Sequence, residues 1–453
     1  MKRIMIAGTH SGCGKTTVTC AILQALVNRK MNVSSFKCGP DYIDPMFHSR
    51  ITNIPSYNLD RRFCSKNKLN QLLCGHKTDI SVIEGVMGFY DGAEPETSSC
   101  AVSLDTSTPA VIVIDCRGMS FSIGAVIKGF LDYRRNNIAG FIFNRLPESL
   151  VEQTKKICTE AGTEYLGRMP LCAESVIESR HLGLVTSGEI ADIKTKMQSL
   201  AKLAEEYIDL DRLTAIAETA PEIRTSPEHP LPLTTTPLRI AVACDNAFCF
   251  CYEENLELLE ELGCEIVDFS PLDDKKLPEN ICGLWIGGGY PELYAQKLSE
   301  NTSMLASVKS AVNAGIPTIA ECGGFMYLCR TLTDINSTVY RMCGVLNGDC
   351  YPTKKLQRFG YAELTALKNN LICDEGEKIM THEFHYWDCT DCGNSFHAKR
   401  SRKREDMCIH STESLYAGFP HLYLYADTRI AERFVKKCME YKKYEKNRKN
   451  SSS

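Results

Sequence analysis

The stretch GTHSGCGKTT, residues 8–17, follows the apolar run Ile4–Ala7 and precedes the helix-like VTCAILQALVNR, so a strand leads into it and a helix leads out. A glycine-rich connection in that setting is a phosphate-binding loop. Gly12 and Gly14 let backbone N–H groups turn inward around a polyphosphate, and Lys15 reaches the terminal phosphates. Thr16, whose hydroxyl suits Mg2+, and Thr17 open a helix whose positive end faces the anion. The loop departs from the strict GxxxxGK[ST] pattern, since its leading glycine, Gly8, lies one residue early and Thr9 takes the usual place.

Working outward, VSSFKCGPDYIDP at 33–45 is a second strand that ends in a loop rich in Gly, Pro and Asp. Open α/β sheets bind ligands in loops at the carboxyl ends of their strands. Asp41 is therefore a candidate metal-side carboxylate and Lys37 a candidate phosphate partner, against the alternative of an Asp that caps the next helix. DISVIEGVMGFYDG at 79–92 is a third strand that delivers Glu84 into a glycine-rich loop closing with Asp91. An acid at the end of such a strand in a phosphate-loop ATPase reaches the metal, and Asp91 adds a carboxylate near the transferred phosphate. AVIVID at 110–115 and IAGFIFNR at 138–145 are further apolar strands, separated by helix-length segments. That alternation predicts a doubly wound, mostly parallel α/β sheet.

At 453 residues the chain fits two such domains. The expected boundaries are a phosphate-loop domain at 1–220, a proline-rich linker at 221–237, a second α/β domain at 238–445 and a disordered tail at 446–453. A net charge of -4 with 24% charged residues gives no electrostatic reason to expect nucleic acid or an anionic membrane as partner. No apolar run approaches the roughly 20 residues that span a bilayer, and the chain opens as a strand rather than a signal peptide, so a soluble cytoplasmic protein is expected. The 23 cysteines are scattered through apolar runs and read as reduced, buried thiols.

In the second half, IPTIAECGGFMYL at 316–328 is an apolar strand that stops at Glu321-Cys322-Gly323-Gly324 before an amphipathic helix. A sharp strand-to-helix turn lifts a nucleophile out of the sheet, with backbone N–H groups behind it for a developing oxyanion. Cys322 is the candidate nucleophile, and Gly323 supplies one oxyanion donor. The GGGYPE loop at 287–292 offers the other, at Gly288 or Gly289. Cysteine chemistry needs a distant base. His421, in AGFPHLYLY, is the better candidate, with His382 and His385 in THEFHYWD as competitors or as satisfied imidazoles on a polar strand face. Cys389-x-x-Cys392, with His397 and Cys408 nearby, invites a zinc reading, but it lacks a second tight cysteine pair and HAKRSRKRED reads as a basic surface loop, so the metal reading is the weaker one.

Taken together, GTHSGCGKTT, KCGPDYIDP, Asn58-Leu59-Asp60, EGVMGFYDG, DCRGMS, RHLGL at 180–184, GGGYPE, AECGGFMYL, FGYAE and HEFHY resemble the cobyrinic acid a,c-diamide synthase family. The motifs fall in the family's order along nearly the whole chain. The early glycine of the phosphate loop is likewise shared with dethiobiotin synthetase and related amide-forming ATPases. The resemblance implies two doubly wound α/β domains, a P-loop ATPase joined to a class I glutamine amidotransferase-like domain. It implies amidation of two corrin side-chain carboxylates in cobalamin synthesis, with ATP, Mg2+ and glutamine.

Carried over by position, Cys322 hydrolyses glutamine and His421 activates it. Lys15 and Thr16, with Asp41 and Glu84, hold Mg·ATP, while Tyr42 and Asp91 lie near the reacting carboxylate. His382, Glu383, His385 and Tyr386 match a motif that faces the macrocycle. The chain departs from the family pattern at Arg61-Arg62 after the Asn-Leu-Asp triplet, at Thr381 and Trp387 around HEFHY, and in HLYLY after Pro420. A sister amidase acting on hydrogenobyrinic acid or nickel sirohydrochlorin is the nearest alternative. A regulatory P-loop ATPase is more remote, since it predicts Lys where His10 stands and leaves the Cys322 elbow unexplained. A homodimer is an admissible assembly.

Overall fold

A computed structural model describes residues 1–171, 190–225, 230–400 and 405–451. The chain divides into two compact units, Met1–Pro227 and Glu228–Ser453. RHLGL at 180–184 lies outside the described residues.

The first unit is built on seven strands: β1 (Arg3–Gly8), β2 (Val33–Cys38), β3 (Ser56–Leu59), β4 (Ile80–Glu84), β5 (Ala110–Asp115), β6 (Ile138–Asn144) and β7 (Glu164–Met169). They lie in the order β3-β2-β4-β1-β5-β6-β7, and every pairing is parallel. The sequence of β1, β4 and β5 is a near-continuous apolar run because both faces of a parallel sheet are covered, and each of these strands is buried along its whole length. Helix α1 (Lys15–Asn28) packs on one face through Val18, Ile22, Ala25 and Leu26. The chain passes from β1 to β2 and returns to fill the gap with β4, so the strand order switches beside β1. The loops after β1, β2 and β4 therefore open at one sheet edge, the place where such folds bind ligands.

The second unit starts again with β8 (Leu238–Ala243), β9 (Cys264–Phe269), β10 (Gly283–Ile286) and β11 (Thr318–Glu321). Ten residues later the pattern changes, with β12 (Thr331–Thr333), β13 (Val339–Arg341), β14 (Asp349–Pro352), β15 (Arg358–Ala366), β16 (Lys378–His385), β17 (Trp387–Cys389), β18 (Phe396–Arg400) and β19 (Glu405–Cys408). The chain closes with β20 (His410–Ser411), β21 (Leu415–Gly418) and β22 (His421–Leu422). The main sheet runs β20-β21-β11-β10-β8-β9 and is parallel except for β20. Two smaller sheets, β13-β12-β14-β17 and β19-β18-β15-β16-β22, are mostly antiparallel.

The α/β class read from the sequence holds for both units, and the antiparallel sheets are an addition to it. The HEFHY motif, for example, lies on β16 inside an antiparallel sheet. The last helix, Thr428–Ser451, continues through residues read from sequence as a tail. Its late turns are rich in Lys and Glu, good helix formers, and Arg448 pairs with Glu445 one turn earlier. Among the described residues no helix is long and apolar enough to cross a membrane, and all described cysteines are free thiols.

Candidate functional sites

The phosphate loop is held in shape by two glycines in the left-handed region, Gly12 at φ 80° and Gly14 at φ 97°. Gly14 caps α1, and a Cβ there would lie 2.1 Å from Asn144 Nδ2. That amide donates to the Cys13 carbonyl at 2.9 Å, so β6 clamps the loop from the side and only glycine fits under the clamp. Lys15 Nζ donates to the His10 carbonyl at 3.3 Å, folded back across the loop it closes. Burial lowers its pKa, with Glu84 and Asp44 opposing.

Cross-strand register brings the charged residues together. Glu84 sits opposite Ile6 of β1 and opposite Lys37 of β2. The Thr16 hydroxyl donates to Glu84 Oε1 at 2.7 Å, and Lys37 Nζ donates to the same oxygen at 3.1 Å. His48 Nε2 lies 2.8 Å from the other Glu84 oxygen. His48 comes from α2 (Ile43–Thr52) and is fully buried, as is Glu84. Burial opposes charge on Glu84, yet Lys37 and the hydrogen bonds from His48 and Thr16 prevail and hold its carboxyl below the usual range. For Lys37 burial is likewise outweighed, by Asp44 and Glu84, and the ammonium is strengthened.

The carboxylate of the second loop that joins this cluster is Asp44. Its Oδ2 accepts from Lys37 at 2.5 Å and its Oδ1 from the Thr16 hydroxyl at 3.4 Å. Asp41 Oδ1 instead accepts the backbone N–H groups of Ile43 and Asp44 at 2.8 and 3.3 Å, the capping alternative, with Lys37 3.9 Å from its other oxygen. Asn58 steadies this loop by donating to the carbonyls of Gly39 and Asp41 at 2.9 and 2.7 Å. Burial and the neighbouring Glu84 push the Asp44 carboxyl up to about 8. A buried and a half-buried acid with one lysine between them favour an additional cation, and hydroxyl and carboxylate oxygens are donors that suit Mg2+. Tyr42 stands at the N-cap of α2, and Asp91 accepts from the Gly88 amide at 3.0 Å in the loop after β4.

In the second unit, β11 ends at Glu321, and Cys322 adopts φ 50° and ψ -100° before the helix Gly323–Leu328. A non-glycine residue at positive φ costs about 1–3 kcal/mol and needs surroundings that hold it. Here the Cys322 amide donates to the Gly418 carbonyl at 2.8 Å and the Gly324 amide to Gly287 at 2.9 Å. A Cβ on Gly323 would lie 3.2 Å from the Gly289 amide nitrogen, so the two expected oxyanion donors are neighbours. Gly289 itself sits at φ 152°, and a Cβ there would come within 2.1 Å of the Ala247 carbonyl oxygen.

His421 is buried beside Cys322 and Glu321, the two groups that favour its charged form. Its Nδ1 lies 3.5 Å from Glu321 Oε2, while Glu321 Oε1 accepts the Leu422 amide at 2.9 Å. Burial alone lowers a histidine pKa, but the partners Cys322 and Glu321 prevail and push His421 up to about 10. Glu321 thus orients the imidazole, a role the sequence reading missed although the residue adjoins the nucleophile. Its signal is a carboxylate closing a fully apolar strand.

The HEFHY motif divides. His382 pairs in register with His421 across β16 and β22, and burial together with His421 pulls it down to about 3, so it stays neutral. His385 is buried, stacks on Phe419 at 3.9 Å and 6°, and is hydrogen-bonded to the Trp387 carbonyl oxygen through Nδ1 at 2.6 Å. Its Nε2 is buried without a hydrogen bond, 3.9 Å from Glu383 Oε1, so the imidazole is satisfied on one side only. Glu383 accepts two hydrogen bonds from Arg400 at 2.5 and 3.1 Å. The motif's exposed side chain is Phe384, which meets the exposed Phe359 edge to face at 5.6 Å.

Residues 4–184 match the CobQ/CobB/MinD/ParA nucleotide binding domain, and residues 239–428 match the CobB/CobQ-like glutamine amidotransferase domain. A cobyrinate a,c-diamide synthase of Caldanaerobacter subterraneus subsp. tengcongensis is 38% identical over 96% of this chain and 98% of its own. Those of Priestia megaterium and Thermoplasma volcanium are 35% and 37% identical, over 98% and 97% of this chain and 98% of theirs. With identity of this degree along almost its entire length, the chain belongs to the cobyrinate a,c-diamide synthase family, a glutamine-dependent amide-forming ligase with a nucleotide-binding domain and a glutamine amidotransferase domain.

Proposed function

We propose that this protein converts the a and c side-chain carboxylates of cobyrinic acid to amides, using ATP, Mg2+ and glutamine. The observation that carries the reading is the presence in one chain of two complete sets of groups. One is a phosphate loop whose Thr16 meets Glu84 and Asp44, and the other a strained Cys322 beside a buried His421. A carboxylate is a poor acyl donor, so its oxygen attacks the terminal phosphate of ATP, displaces ADP and becomes the bridging oxygen of an acyl phosphate, with Lys15 balancing the charge that develops. Thr16, Glu84 and Asp44 are the residues to hold Mg2+, which when bound neutralises phosphate charge. Lys37 and His48 keep the Glu84 carboxylate ionised and oriented toward Thr16.

At the second site the Cys322 sulfur attacks the glutamine amide carbon, Gly323 and Gly289 receive the oxyanion, and His421 returns a proton to the departing ammonia. Water then releases glutamate from the thioester. The ammonia displaces phosphate from the acyl phosphate, and an amide results. Purified protein given ATP, Mg2+ and glutamine is to be offered cobyrinic acid, hydrogenobyrinic acid and nickel sirohydrochlorin in parallel, with products read by mass spectrometry. Mono- and diamide from cobyrinic acid are expected. Amidation of nickel sirohydrochlorin with no reaction of cobyrinic acid would overturn the substrate assignment.

Two predictions arise from the site geometry. Asp44→Asn raises the Mg2+ concentration needed for half-maximal amide synthesis and slows turnover by about 10²-fold or more. Asp41→Ala lowers stability by about 1 kcal/mol through loss of the helix cap, with a much smaller change in the Mg2+ titration. Equal displacement of the two titration curves would return Asp41 to the metal.

The second concerns pH. His421 has its pKa raised from 6.5 to about 10 in the folded chain. Its charged form therefore stabilises the fold fully below the unfolded value, and that contribution is lost as pH rises through the folded one. Because ammonia leaves with the His421 proton, glutamine hydrolysis should hold across the range from about 7 to 9 and fall as pH passes about 10. An alkaline limb centred near 7 would show that the imidazole is not held charged.

A further inference from the structure

Three cysteines from separate elements converge about two helical turns from Cys322, at the opposite end of the helix Gly323–Leu328. Cys329 is the C-cap of that helix, Cys350 lies on β14, and Cys389 lies directly opposite Cys350 on β17. All three are buried, and their sulfur atoms lie within 4.8 Å of one another. Cys329 Sγ and Cys389 Sγ are 3.9 Å apart. Tetrahedral zinc with Zn–S bonds of about 2.3 Å sets its sulfurs about 3.8 Å apart, which this spacing matches, whereas a disulfide needs about 2.05 Å.

The surroundings are also those of a metal knuckle. Cys389 begins a Cys-x-x-Cys turn, which brings Cys392 back to the Cys389 carbonyl. Gly348 lies against the sulfurs, where a Cβ would come within 2.4 Å of Cys389 Sγ and 3.4 Å of Cys329 Sγ. A fourth thiol, Cys392, is three residues on, and its sulfur donates to the Cys389 carbonyl at 3.6 Å and to Asp388 Oδ1 at 3.7 Å. These are weak contacts for a thiol. His397 and Cys408, the neighbours weighed from the sequence, are not members of the cluster.

We propose that Cys329, Cys350, Cys389 and Cys392 form a structural Zn2+ site. Four thiolates in tetrahedral array suit Zn2+, which imposes no geometry of its own and carries out no redox step. Binding releases the thiol protons to solvent. The ion ties the end of the nucleophile helix to β14 and β17, so its purpose is to fix the helix that presents Cys322. Cys322 takes no part in the site.

The full-length protein, purified from zinc-supplemented cells without chelator, is to be measured by plasma mass spectrometry. It is then stripped and titrated with Co2+, whose charge-transfer absorption reports thiolate ligands. About one zinc per chain is expected. Cobalt should give thiolate charge-transfer bands together with the visible bands of tetrahedral coordination. Cys350→Ser should lose both metals, and Cys392→Ser should retain a weaker cobalt spectrum with one thiolate fewer. Cys438→Ser, which alters a buried thiol beside Cys282 instead, should bind as the parent does. Wild-type protein without zinc and with a featureless cobalt titration would overturn the proposal. So would zinc uptake unchanged in Cys350→Ser. If Cys350→Ser fails to fold, wild type and Cys392→Ser decide the matter, since an identical cobalt spectrum in those two removes Cys392 from the site.

Discussion

Cys322→Ala is expected to stop glutamine serving as a nitrogen source while amide synthesis from an ammonium salt at alkaline pH continues. The thioester needs a nucleophile held at φ 50° at the head of a helix, and among the described residues no other cysteine has a positive φ. Loss of a covalent nucleophile of this kind lowers the dependent rate by more than about 10³-fold. Free ammonia bypasses the thioester, and the groups that bind phosphate belong to the other unit of the chain. The substitution also removes a partner of His421, so its imidazole loses part of what keeps it charged. The measurement is a pair of initial rates, one with glutamine and one with ammonium. Unaltered use of glutamine would place the nucleophile elsewhere, and loss of both rates in a folded variant would tie the ligase reaction to Cys322 as well.

Lys15→Ala is expected to abolish synthesis from either nitrogen source. Neither has an activated carbonyl to attack when the acyl phosphate does not form, and loss of one preorganised cation costs about 10² to 10³-fold in turnover. Glutamine hydrolysis at Cys322 should survive, measured as glutamate release without tetrapyrrole. Near-parental amide yield from this variant would contradict the role assigned to the loop. The two variants together should thus show opposite losses, glutamine hydrolysis in one and carboxylate activation in the other.

Features written in contiguous residues were legible in the sequence. The phosphate loop and the Cys322 elbow each depend on a strand, a few glycines and a helix within about fifteen residues, and both have the expected backbone. What depends on side-chain direction was not. In GPDYIDP the sequence pointed to Asp41, but which acid faces Thr16 is decided by the start of α2, because Asp41, just before the N-cap Tyr42, accepts the first helical amides and Asp44 lies within the first turn. His48 reaches Glu84 from the buried face of that helix, where a single polar residue in IDPMFHSRIT carries no periodic signal. The four-stranded, mostly antiparallel sheet was hidden for another reason, since its strands β12, β13 and β17 are three residues long and leave no recognisable alternation. The thiol cluster draws on residues 329, 350 and 389, whose spacing resembles no tight pair and whose meeting depends on the pairing of β14 with β17.

The central claim, that a carboxylate is activated by phosphate before nitrogen arrives, is tested most directly with cobyrinic acid labelled with oxygen-18 in its side-chain carboxylates. Incubation with ATP and glutamine should carry one labelled oxygen into inorganic phosphate for each amide formed, because the bridging oxygen of an acyl phosphate comes from the carboxylate. Amide formation with unlabelled phosphate would contradict the account.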